Sequence, residues 1–193
     1  LVRPAEWAAL LRFRISEFAI AAACAVSVVL FGILTGVIIA IALSIAEFMA
    51  RLARPHDGVL GFVPNYAGMH DVDDYDTTTT IPGMVAFRYD APLFFMNAYD
   101  FYYKVTGALE PDTKVVILNM EANVELDTTA LNVLEELHDT LAADGIDLWL
   151  ARVKNDVLTP MQDHGVASVV GEDNMYPTMG EAVRRYRQLY LAG

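Results

Sequence analysis

Between Glu17 and Glu47 the chain runs 29 residues without one charged side chain. In hydrocarbon every backbone N–H and C=O must find its partner inside the segment, so only helices or closed barrels persist there. From His56 onward the sequence changes character and reads as an acidic α/β domain. A membrane segment joined to a soluble module is a plan for which a soluble enzyme has no use.

Charge divides at Pro55. Residues 1–55 carry Arg3, Arg12, Arg14, Arg51 and Arg54 against Glu6, Glu17 and Glu47, a balance of +2. Residues 56–193 carry eight Lys and Arg against 22 Asp and Glu, a balance of −14. A domain of that charge repels phosphate backbones, which argues against nucleic acid as a partner. It will not lie flat on an anionic leaflet without a basic collar. Its 138 residues suffice for one domain with its own core. The single cysteine, Cys24, lies in the apolar stretch, so no disulfide forms within the chain.

The apolar stretch is too long for a signal peptide and lacks a small-residue cleavage pattern. The chain begins at Leu1 inside an amphipathic sequence and reads as the C-terminal piece of something larger. One straight helix of this length would be ~43 Å long, against a hydrocarbon core of ~30 Å. Arginines flank both ends, and arginine marks the cytoplasmic side. Two short helices turning near Gly32 and Gly36, shielded by other protein, satisfy length and charge together. The alternative is one tilted helix, with Gly32 and Gly36 as a small-residue contact pattern.

Along the remainder, residues 51–64 form a linker, and 60–66 form a possible first strand. Residues 69–80 form a polar loop with Asp71, Asp73, Asp74 and Asp76. Strands are expected at 84–90, 93–96, 115–118, 146–152 and 168–170. Helices are expected at 98–109, 128–143, 156–164 and 178–191. The helix at 128–143 places Leu131, Leu134, Leu137 and Leu141 on one face. Alternating strands and helices imply a small sheet with helices packed on it.

The aspartate loop fails as a calcium site. Counted from Asp71, its sixth position is Asp76 rather than glycine and its twelfth is Pro82 rather than glutamate. A solvated acidic loop accounts for it. His56, His70, His138 and His164 show no metal-binding spacing, and no nucleophile or phosphate-loop motif is present. No catalytic residue, metal site or cofactor is expected.

One local feature stands apart: Leu126-Asp127-Thr128-Thr129-Ala130-Leu131, where the loop after the strand at 115–118 gives way to the main helix. Asp127 or Thr128 serves as a helix N-cap, which typically stabilises by ~1 kcal/mol. A phosphate on Thr128 would also sit at a helix N-terminus, where backbone N–H groups favour negative charge. It would repel the neighbouring acidic surface and so switch a partner contact. Asp127, Thr128, Thr129 and Ala130 are therefore the candidate regulatory loop.

That strand, the Leu-Asp-Thr-Thr-Ala-Leu run and the leucine-rich helix resemble the STAS domain of sulfate transporters and anti-sigma factor antagonists. Gly32-Ile-Leu-Thr-Gly36, Ala-Leu-Ser-Ile at 42–45, Arg54-Pro55 and Tyr89-Asp-Ala-Pro-Leu-Phe-Phe-Met-Asn97 are similar to the C-terminal end of SulP-type anion permeases. The likeness covers nearly the whole chain. It implies a mixed sheet of about four to five strands flanked by helices, on the cytoplasmic side of the last membrane helices. It also implies a transporter of sulfate or a related anion, usually a homodimer. The family's substrate sits between broken helices that this chain lacks, so no substrate-binding residue carries over. In the soluble antagonists a phosphorylated serine follows the aspartate in Asp-Ser-x-Gly. Here Thr128 replaces that serine and Ala130 replaces the glycine.

The expected organisation is a membrane segment over 1–54, a linker and possible first strand over 55–66, and a cytoplasmic STAS domain over 67–193. The expected function is the C-terminal portion of a secondary anion transporter in the inner membrane, with the domain serving regulation, assembly or trafficking. Its partners would be the lipid bilayer, the remaining transmembrane domain and a second copy. The alternative is a membrane-tethered regulator that binds a protein partner and transports nothing.

Overall fold

A computed structural model describes residues 15–191. The chain divides into two compact units between Leu52 and Ala53.

In the first unit, helix α1 spans Ile15–Phe31 and helix α2 spans Ile33–Ala53. They part at Gly32, whose φ of +84° is the left-handed conformation that glycine adopts without a Cβ penalty. Gly32 N donates to Val28 O at 3.0 Å, and Gly36 N donates to Gly32 O at 3.0 Å. A Cβ built on Gly36 would lie 2.7 Å from the Val28 Cα. Residues eight apart on a straight helix are separated by ~12 Å, so the backbone bends sharply at Gly32. The helices meet where only a glycine fits. The expected turn near Gly32 and Gly36 thus resolves into a break at the first glycine and a contact at the second.

Around that bend Val29, Leu30, Phe31, Ile33 and Leu34 are exposed. Such an apolar exterior lacks a place in water. Helix α2 is long and apolar enough to cross a membrane, and the apolar part of α1, Phe18–Phe31, is shorter. Near the end of α2, Arg51 pairs with Glu47 one turn back. The expectations that rest on residues 1–14, including Arg12 and Arg14, lie outside the described residues.

In the second unit the described strands are β1 (Asp57–Gly61), β2 (His70–Asp71), β3 (Met84–Tyr89), β4 (Val115–Asn119), β5 (Asp147–Ala151) and β6 (Met175–Tyr176). They form one sheet in the order β2-β1-β3-β4-β5-β6. β1 runs antiparallel to both neighbours, whereas β3 to β6 run parallel. The crossovers are α3 (Ala98–Gly107), α4 (Thr128–Ala143), and the pair α5 (Asn155–His164) and α6 (Val166–Val170). Helix α7 (Met179–Tyr190) closes the chain.

Every residue of β4 is buried, as expected for a parallel strand covered on both faces. Its alternation divides the core. Val116 and Leu118 join Val85, Phe87 and Leu150 beneath α3 to α6, where α4 contributes Leu131, Leu134, Leu137 and Leu141. Val115 and Ile117 point the other way, with Met84, Trp149 and Ala151, to meet Ala182, Val183 and Tyr186 of α7.

Four expectations are corrected. The sheet has six strands rather than four to five, because β2 and β6 are two-residue strands too short to show periodicity. The first strand lies at Asp57–Gly61 rather than 60–66. Residues 93–96 make a single bridge, Leu93 to Leu126, and then turn. The buried Asn97 dictates that turn: its Oδ1 accepts Phe94 N at 2.9 Å and its Nδ2 donates to Pro92 O at 2.9 Å. Residues 168–170 belong to helix α6, where Val166, Ala167 and Val170 are buried at helical spacing. A short β-branched run cannot by itself separate strand from helix.

Candidate functional site

The candidate loop leaves the C-terminal end of β4. Asn119 Oδ1 accepts Glu121 N at 3.2 Å, and Lys154 Nζ donates to Glu121 O at 2.8 Å. Arg152, in a left-handed conformation with φ 62°, pairs through Nη2 with Glu121 Oε1 at 2.6 Å. The fully buried Asn123 donates from Nδ2 to Tyr89 O at 3.2 Å and to Ala91 O at 2.7 Å. Buried amides are kept where they satisfy backbone groups that no ladder reaches. These bonds fix the path by which the chain arrives at α4.

Asp127 is the N-cap of α4. Its Oδ1 accepts Ala130 N at 2.8 Å, satisfying one of the free N–H groups of the first turn. Its Oδ2 accepts Phe95 N at 2.8 Å, a bond to a segment 32 residues earlier. Backbone bonds reinforce this junction, with Leu93 N on Glu125 O at 3.1 Å and Asp127 N on Leu93 O at 3.3 Å. One carboxylate therefore caps the helix and pins the loop after β3. Thr128 is exposed at the first helical position, Thr129 is half-buried, and Ala130 is buried in the core under α4. The structure brings the four candidates together in one turn, with the Thr128 side chain facing out. Phe95 and Met96, next in chain to the pinned N–H, are exposed, as is Val124.

On the neighbouring helix α3, Tyr99 OH donates to Glu136 Oε2 at 3.2 Å, which pushes its phenol above the ordinary range. Tyr89 is driven further up, first by burial and then by its hydrogen bond to Asp100 Oδ2 at 3.0 Å. Both phenols hold their protons at neutral pH.

The aspartate loop differs from the solvated segment expected. Asp73, Asp74 and Asp76 are exposed, but Asp71 is 2% exposed. Its Oδ2 lies 3.1 Å from His56 Nε2 and 4.0 Å from Arg88 Nη2, and its Oδ1 accepts Asp73 N at 3.0 Å. A Cβ on Gly58 would lie 2.0 Å from that Oδ2, so glycine is what gives the carboxylate room. Sequence reasoning missed this junction of His56, Asp71 and Arg88; the glycine at 58 was the available signal. Among the described residues no group of three or more His, Cys, Asp or Glu side chains could hold a metal ion.

A family model described as the STAS domain matches residues 75–182. Probable sulfate transporter Rv1739c of Mycobacterium tuberculosis is 43% identical over 191 residues, 97% of this chain and 34% of its own length. High affinity sulfate transporter 2 of Stylosanthes hamata is 27% identical over 78% of this chain and 24% of its own length. The chain thus spans about a third of the length of the first of these curated relatives and a quarter of the second. Among solved structures, SLC26A9 aligns with a TM-score of 0.85 at 18% identity, over 96% of this chain and 32% of that one. The crystal structure of a sulfate transporter family protein from Wolinella succinogenes aligns with a TM-score of 0.54 at 23% identity, over 64% of this chain and all of that one. At these identities the two structures speak to the fold alone.

Proposed function

Because the chain belongs to the STAS domain family, we propose that it is the C-terminal portion of a secondary anion transporter, with sulfate as the anion. One observation carries the reading. The similarity to a probable sulfate transporter covers 97% of the chain, so it includes the apolar helices as well as the domain. A free-standing STAS module would share only the latter.

In this reading α1 and α2 lodge in the bilayer against the rest of the transmembrane domain, which binds the anion outside this chain. The arginine-flanked ends lie on the cytoplasmic side, and the domain hangs there and serves regulation, assembly or trafficking in a homodimer. It has no catalytic role and needs no cofactor. The loop at Asp127, Thr128, Thr129 and Ala130 is its regulatory contact. Support comes from the exposed Thr128 on a helix start whose cap, Asp127, also binds the Phe95 N–H, and from the exposure of Phe95 and Val124.

The test is uptake of labelled sulfate by cells expressing the complete gene. Uptake above background is expected, with a change in rate or surface expression when residues 56–193 are removed. Good membrane expression without uptake would favour the membrane-tethered regulator.

A further inference from the structure

We propose that the cleft between segment 62–69 and α7 binds an amphipathic organic anion, one with a sulfonate, phosphate or carboxylate head on a compact apolar body. The inference is independent of the transport reading.

The domain is strongly acidic, yet three of its eight cationic side chains, Arg184, Arg185 and Arg187, fall within one turn of α7 and are exposed. Arg185 lies beside the Tyr176 hydroxyl. Arg184 and Arg187 line the cleft. Among the described residues neither has a carboxylate within ion-pair distance. Arg187 stands 5.2 Å over the Phe62 ring, which places its guanidinium at the cleft wall. Glu181, the carboxylate on the same helix, is held 3.4 Å from Thr178 Oγ1.

The floor is of the opposite character. Phe62, Met69 and Met179 are partly buried hydrophobics packed on the core beneath α7, and Val183 is 4% exposed. The cavity measures about 230 Å³, below the ~300–1,000 Å³ of drug-sized sites, so it admits only a small, compact body. An apolar floor rewards burial of a hydrocarbon or aryl body, and two guanidiniums at the rim reward an anionic head. A fully hydrated inorganic anion would gain only the second of these.

The head could arrive on a soluble metabolite or on a lipid, and one experiment separates them. The full chain in phosphatidylcholine nanodiscs is titrated calorimetrically with 1-naphthalenesulfonate, with empty nanodiscs subtracted. Saturable binding is expected, weakened about ten-fold or more when Arg184→Gln and Arg187→Gln are combined. The uncharged 1-naphthalenemethanol is expected to bind more weakly by a similar factor. Gly180→Leu supplies the second variant: a Cβ there meets nothing nearer than Thr178 Oγ1 at 4.0 Å, so the helix accepts it while the side chain fills the cleft. It is expected to abolish binding with helix content unchanged by circular dichroism. Phosphatidylglycerol added to the discs weakens the sulfonate if lipid is the natural source and leaves it unchanged if a soluble anion is. Absence of saturable binding, or binding indifferent to both variants, would overturn the proposal.

Discussion

The Asp127 carboxylate accepts the Phe95 backbone N–H at 2.8 Å while its other oxygen caps α4. The start of the main helix is thereby coupled to the loop that follows β3. Removing the carboxylate frees two donors at once. Asp127→Ala is expected to lower stability by about 2 kcal/mol, and Asp127→Asn by less, since its amide oxygen still accepts one bond. Thr128→Ser, which alters a side chain that faces out, is expected to stay within about 0.5 kcal/mol. Denaturant unfolding of the three variants checks both. A Thr128→Ser loss as large as that of Asp127→Ala would contradict the assignment of the cap.

Gly58 and Asp71 form a second coupled pair. Gly58→Ala drives a methyl into the buried carboxylate and is expected to cost about 2–3 kcal/mol. Asp71→Ala should be destabilising alone, because it strips His56 of its partner and leaves Arg88 with Asp90 alone. Combined, the two changes should cost less than their sum, as required of residues in contact. Additive losses in a double-mutant cycle would show that the overlap is relieved elsewhere.

High pH should expose the buried phenol. The folded domain keeps the Tyr89 proton well above the ordinary 10.0, whereas the unfolded chain releases it near that value. Above pH 10 the unfolded state therefore binds fewer protons, and stability falls as pH rises. Tyr89→Phe removes this contribution and should flatten the decline, measured by urea unfolding between about pH 9 and pH 11. An unchanged slope would assign the alkaline loss to other groups, such as Tyr186, whose phenol burial also raises.

The bend in the apolar unit is tested at Gly36, where any side chain meets the Val28 backbone. Gly36→Leu is expected to cut the thermal stability of the membrane-extracted protein well below that of Ala42→Leu, a substitution at an exposed position of the same helix. Equal stability would argue against the close approach. Tags placed before Arg12 and after Gly193 should both be cytoplasmic, and an external signal from the first would exclude the paired arrangement.

Much of this architecture was legible because its signals are periodic. The face of Leu131, Leu134, Leu137 and Leu141 gave α4, and the run Val115-Val-Ile-Leu118 gave the central strand. The errors fell where tertiary contacts override local pattern. Val169 and Val170 carry strand propensity, yet burial of Val166, Ala167 and Val170 against the core holds them helical. Residues 93–96 look like a strand until the Asn97 amide takes their backbone groups. At the site, Asp127 was legible as a cap because capping is local. Its bond to Phe95 was hidden, since no sequence rule joins residues 32 apart. Asp71 was misjudged because a cluster of four aspartates averages to a solvated loop, while its burial depends on the missing side chain at 58.

Flux through the complete protein, purified and reconstituted in liposomes, bears most directly on the central claim. Labelled sulfate should enter in a protein-dependent, saturable manner, and unlabelled sulfate should compete with it. Liposomes that contain correctly inserted protein and admit no sulfate above the empty control would contradict it.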